Sequence, residues 1–77
     1  MNKRDVLNTL LNLANDIIGI KVEPFDDLKL SGIDSLSLVS YIVAIEETFS
    51  FSFQDDDLEP DNLTTINNIL GVMEKYL

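Results

Sequence analysis

Between Leu36 and Ile45 only Ser37 and Ser40 interrupt a run of apolar and aromatic side chains. The spacing predicts a helix over 35–49 in which Leu36, Val39, Ile42, Val43 and Phe49 form the core stripe. Leu38, Tyr41 and Ile45 widen that stripe around the cylinder. A helix this apolar is either enclosed on most sides or offers one face to a partner. Enclosure is hard to arrange in a chain of 77 residues, because a domain that small buries only about 60–65% of the surface its unfolded form exposes. A partner face on this helix is therefore expected.

The rest of the pattern is helical too. Val6, Leu7, Leu10, Leu11, Ala14, Ile17 and Ile18 recur at spacings of three and four. They predict a helix over about 4–18, with Asn8, Asn12, Asn15 and Asp16 on the opposite face and Gly19 ending it. Residues 19–34, with Pro24, Asp26-Asp27 and Gly32, make a long connection. Loops of this length are usually functional or held down by their own side chains, and Phe25, Leu28 and Leu30 are the expected anchors. Phe49-Ser50-Phe51-Ser52-Phe53 alternates as a strand would, yet no other segment looks able to pair with it. It reads as an extended exit whose aromatics fold back into the core. A brief helical turn is expected at 59–63, after the acidic stretch Gln54–Pro60. The last helix starts near Thr64-Thr65, either of which can cap it. Its stripe is Ile66, Ile69, Leu70, Met73 and Leu77, with Tyr76 alongside. The fold predicted is a single all-α domain over 1–77, a small four-helix bundle of three long helices and one short, with a long ordered loop between the first two.

Composition narrows the function. The chain has no cysteine and no histidine, so a thiolate zinc site, a cysteine nucleophile and the usual general base are all excluded. Self-contained catalysis is not expected. The formal charge is −9, from 14 acids against 5 bases. Phosphate binding needs clustered Lys and Arg, so neither nucleic acid nor an anionic membrane is an expected partner. A basic protein partner fits the field better. Neither an export signal nor a membrane span is evident, and the expected location is the cytoplasm. Asp55-Asp56-Asp57 lacks the alternating acids, central Gly and closing Glu of a calcium loop, so no metal is assigned. It reads, like Asp26-Asp27, as a solvated acidic turn that steers basic partners.

The chemistry-bearing residues sit at the start of the apolar helix. In Gly32-Ile33-Asp34-Ser35-Leu36, Asp34 fits the N-cap position and Ser35 opens the helix. A serine in a first helical turn exposes its hydroxyl, and free amides with the helix dipole favour a phosphate there. The same hydroxyl is poorly placed as a nucleophile of its own, since Lys29 is the nearest amine in sequence and no histidine exists. Ser35 therefore reads as an attachment point.

Leu30, Gly32, Ile33, Asp34, Ser35, Leu36, Val39, Ala44-Ile45-Glu46-Glu47, Phe49, Asp57-Leu58 and Leu63-Thr64-Thr65-Ile66 together resemble the acyl and peptidyl carrier proteins. The resemblance spans nearly the whole chain. It implies that Ser35 accepts 4′-phosphopantetheine from coenzyme A through a separate phosphopantetheinyl transferase, which recognises Asp34. The thiol at the end of that arm would carry an acyl or aminoacyl group as a thioester, which accounts for a chain without cysteine. Helix 35–49 would be the main docking surface for loading and downstream enzymes, through Leu36, Leu38, Val43, Glu46 and Glu47, with Leu63 as a secondary contact. The carrier would act as a monomer, and a small side-chain-filled cavity between the helices could open for cargo.

One departure bears on the pathway. Fatty-acid carriers of the common bacterial type place acids two and five residues after the modified serine, where this chain has Ser37 and Ser40. Neutral, apolar docking resembles the peptidyl carriers, whereas the overall charge and Glu46-Glu47-Thr48-Phe49 resemble the acyl type. Fatty acid, polyketide and nonribosomal peptide pathways thus stay open, with a stand-alone carrier in a dedicated pathway favoured. The competing expectation is an unmodified interaction module that docks through helix 35–49, with Ser35 merely part of a cap.

Overall fold

The computed structural model describes residues 2–19 and 21–77. Helix α1 runs Lys3–Ile18. Asn2 caps it by accepting the Asp5 N–H at 2.9 Å. Gly19 ends it in the left-handed region, φ 81°, and donates its N–H to the Asn15 carbonyl at 3.0 Å. Glycine takes up that conformation without the Cβ clash other residues meet. Val6, Leu10 and Ala14 are buried, and the Asn8, Asn12, Asn15 and Asp16 face is exposed as expected. Ile17, predicted on the core face, is exposed.

Helix α2 spans Ser35–Phe49, as predicted, and packs along α1. Its buried residues are Tyr41, Ile42 and Ile45. The Tyr41 hydroxyl donates to the Leu10 carbonyl at 2.7 Å, so the junction with α1 is both apolar and hydrogen-bonded. Burial pushes the Tyr41 phenol well above its ordinary titration range. Of the predicted core stripe, Ile42 is buried and Phe49 packs on the core, but three positions are overturned: Leu36 is 77% exposed, and Val39 and Val43 are exposed as well. The cause is geometric. Positions 38, 41, 42, 45 and 49 form an unbroken apolar stripe at spacings of three and four, whereas 36, 40, 43 and 47 form a second stripe interrupted by Ser40 and Glu47. The uninterrupted stripe goes inward.

The connection between α1 and α2 is ordered, with Leu28 an anchor as expected and Val22 in place of the other two. Val22 and Leu28 are buried, whereas Phe25 is 76% and Leu30 88% exposed, against expectation. Backbone bonds stitch the loop to the start of the last helix: the Leu28 N–H donates to the Thr64 carbonyl and the Asn67 N–H to the Pro24 carbonyl, each at 2.9 Å. Asp26 and Asp27 are turn formers, not a free acidic pair. Asp26 accepts the Glu23 N–H at 2.8 Å, and Asp27 accepts the Lys29 and Leu30 N–H groups.

After α2, Ser50 adopts the left-handed conformation, φ 58°, and the chain runs extended through Phe53. Phe53 is buried, and the rings of Phe51, Phe53 and Tyr76 pack together as the folded-back exit predicts. The short helix is a pair of 3₁₀ turns, Asp55–Leu58 and Pro60–Leu63. Helix α3, Ile66–Met73, is capped by Thr65, which accepts the Asn68 N–H at 3.0 Å. It packs on α1 and buries Ile66, Ile69, Leu70 and Met73. It then tightens into a 3₁₀ turn, Glu74–Tyr76, and leaves Leu77 exposed. The described residues are all helix, turn and loop, with no strand among them.

Candidate functional site at the start of α2

Three local features place Ser35. Gly32, at φ 92°, turns the chain out of the loop, and half-buried Ile33 packs against the core. Asp34 follows in extended conformation and accepts the Ser37 N–H at 2.7 Å, the N-cap read from the sequence. The Ser37 backbone N–H, then the Ser37 hydroxyl and the Leu36 N–H, hold the Asp34 carboxyl below its usual range. It is ionised at neutral pH. Ser35 is the first helical residue, exposed, and its hydroxyl makes no hydrogen bond among the described residues.

Of the other predicted site residues, Leu38, Val43, Glu46 and Leu63 line one groove, and Leu36 and Glu47 lie outside it. Leu38, Val39, Ile42 and Val43 of α2 form one wall, Leu58 and Leu63 of the 3₁₀ turns the other, and Glu46 closes one end. The groove is almost wholly apolar, about 280 Å³ in volume, and open to solvent. It therefore differs from the side-chain-filled cavity expected. Leu38 and Val39 lie three and four residues after Ser35, one helical turn along the same face, so the groove begins beside the free hydroxyl. Leu38 is half-buried and also borders a second hollow of about 190 Å³, with Leu28, Ile33, Pro60, Leu63 and Thr64.

Charge is nearly absent from the first three turns of α2. Leu36 and Val43 stand out from them as an apolar strip with Ser40 between, and Glu47 lies exposed at the far end. Glu46 is half-buried and accepts the Phe53 N–H at 2.8 Å, so it braces the exit segment rather than facing outward. Among the described residues no group of acids, His or Cys could hold a metal ion.

The arrangement offers a fixed, exposed hydroxyl with no base to activate it, flanked by an apolar strip and an apolar groove. Such a site suits modification by another protein better than chemistry of its own. The family model for the phosphopantetheine attachment site matches residues 8–73. The chain belongs to that family. An acyl carrier protein of Acidothermus cellulolyticus is 35% identical over 75 residues, covering 88% of this chain and 83% of that protein. One from Bdellovibrio bacteriovorus is 31% identical over 72 residues, covering 94% and 86%. The fold is similar to a chain in the crystal structure of a Bradyrhizobium japonicum glycine–carrier protein ligase complexed with glycylated carrier protein. That match has a TM-score of 0.70 at 18% identity and covers 91% of this chain and 95% of the other.

The chain is therefore a carrier protein, not an enzyme, and its cofactor is a covalently attached 4′-phosphopantetheine. The donor set fits that group: an exposed serine hydroxyl free of internal bonds, at a helix start where the Ser35 and Leu36 amides lie ahead of the first intrahelical bond, Leu38 N–H to the Asp34 carbonyl. One residue of the carrier escaped sequence reasoning. Asp57 is only 5% exposed, its carboxylate bound by the Lys75 ammonium and the Tyr76 hydroxyl, so it is not part of a solvated acidic turn. The available signal was the Lys75-Tyr76 pair, a cation and a phenol at the end of a chain poor in both.

Proposed function

We propose that Ser35 is the attachment point of the phosphopantetheine arm and that the chain is a stand-alone carrier presenting acyl or aminoacyl intermediates to the enzymes of a dedicated pathway. The observation carrying the proposal is the free, exposed Ser35 hydroxyl, fixed by the Asp34 cap one turn from an apolar groove. Once attached, the arm supplies the thiol on which cargo is held as a thioester. The protein's own residues do the rest. Asp34 holds the helix start, and so the Ser35 oxygen, in one place for a transferase. Leu36, Val39 and Val43 give that enzyme, and the later ones, an apolar strip to dock on, with Leu63 across the groove as a second contact. The uncharged Ser37 and Ser40 make this docking less dependent on ion pairs than an acidic α2 would be.

The two relatives named above, whose own length the match covers to 83% and 86%, are acyl carrier proteins, which supports a carrier role. The similarity to a glycylated carrier's complex keeps an aminoacyl-loading ligase among the partner classes. The test is incubation with coenzyme A and a broad-specificity transferase, read by intact mass. The wild type and Ser37→Ala gain one phosphopantetheine, and Ser35→Ala gains none. Modification of Ser35→Ala at the wild-type rate would remove Ser35 from the site.

A further inference from the structure

The groove beside Ser35 has unequal walls. The α2 wall belongs to a helix locked into the core by Tyr41, Ile42 and Ile45. The opposite wall, Leu58 and Leu63, comes from two 3₁₀ turns that bury no apolar side chain of their own; the one buried residue in either turn is Asp57. Asn62 ties the turns together, its side-chain amide donating to the Asp57 carbonyl at 3.3 Å and the Asp56 carbonyl at 3.4 Å. The second turn is tied to α3 by the Asn68 side-chain amide, which donates to the Asp61 carbonyl at 3.3 Å, and by half-buried Leu63 packed on the core. What fastens the first turn, and through Asn62 the pair, is the Asp57 carboxylate. One oxygen meets the Lys75 ammonium; the other accepts from the Tyr76 hydroxyl and, at 3.0 Å, from the Gln54 N–H. Tyr76 is itself seated by stacking on Phe51 at 4.8 Å between ring centres. A second ion pair, Lys3 with Glu74 at 2.7 Å, joins the C-terminal turn to α1.

We propose that Asp57, Lys75 and Tyr76 form a latch by which the C-terminal turn holds the Leu58–Leu63 wall and so sets the width of the groove. A wall held mainly by polar contacts, with only half-buried Leu63 on the core, opens separately from it, because local opening costs least where buried apolar contact is least. The latch positions the wall and touches no cargo. It stands whichever hydroxyl carries the arm.

The experiment is amide hydrogen exchange, resolved by residue, on Lys75→Met, Tyr76→Phe and the double variant, with Lys75→Arg as the variant that keeps the cation. The double variant is expected to speed exchange at residues 54–63 by about tenfold or more, while core amides at Leu10, Tyr41 and Ile45 change by less than about twofold. Lys75→Arg stays near wild type. Acceleration by one common factor across the whole chain would mean that the cluster only adds global stability, and unchanged exchange at 54–63 would mean that it does not hold the wall. Either result overturns the latch. Asp57→Asn is kept as a fifth variant, and the test does not depend on its folding.

Discussion

Exchanging Ile45 and Leu36 for alanine separates the inner face of α2 from the outer. Ile45 is fully buried, and Leu36 is 77% exposed. Ile45→Ala loses the transfer energy of the removed carbons and leaves a cavity, a cost of about 2–5 kcal/mol. Leu36→Ala forfeits only the quarter or so of its surface that is covered. A full leucine burial is worth about 2 kcal/mol, so about 0.5 kcal/mol is at stake. A domain of this size holds a total of about 4–12 kcal/mol, so the first substitution removes a large share and the second almost none. Thermal melts followed by far-UV circular dichroism read the difference. At about 4–8 °C per kcal/mol, Ile45→Ala lowers Tm by about 8 °C or more and Leu36→Ala by no more than about 4 °C. Leu36→Ala is nevertheless expected to slow transfer of the arm, because what it removes is docking surface. Equal destabilisation by the two would refute the inward assignment of Tyr41, Ile42 and Ile45.

The remaining expectations concern charge, titration and local backbone. With −9 on so small a body, self-repulsion should make Tm rise on adding moderate salt, and a fall would contradict this. The folded Tyr41 phenol is held above its usual value by burial. The unfolded phenol titrates near pH 10, so the stability this group contributes is fully present below about pH 10 and declines above it. Urea midpoints against pH should show that decline, and Tyr41→Phe should flatten it. Thr65→Ala removes the α3 cap and should cost about 1 kcal/mol in urea unfolding. Gly71→Ala should stabilise by up to about 1 kcal/mol, since an added Cβ meets nothing within 4 Å.

The helix order was legible because α1 separates its faces cleanly, Val6, Leu10 and Ala14 against Asn8, Asn12 and Asn15. So was the Asp34–Ser35 turn, because a cap is a local device that needs only neighbouring amides. The inward face of α2 was misread because the helix is apolar nearly all round, so periodicity alone does not choose between its stripes. Ser40 and Glu47 on the outer stripe were the clue. Phe25 and Leu30 failed as anchors because buried Val22 and Leu28, with the backbone bonds at Pro24 and Leu28, already place that segment. The burial of Asp57 depends on partners 18 and 19 residues away, a pairing that no local pattern encodes.

The central claim is that one hydroxyl, at Ser35, receives the arm while Ser31, Ser37 and Ser40 close by do not. Fragmentation mass spectrometry of the enzymatically modified protein tests it most directly. Every fragment containing Ser35 is expected to carry one phosphopantetheine, and fragments ending before it none. The added mass on Ser31, Ser37 or Ser40, with Ser35 bare, would contradict it.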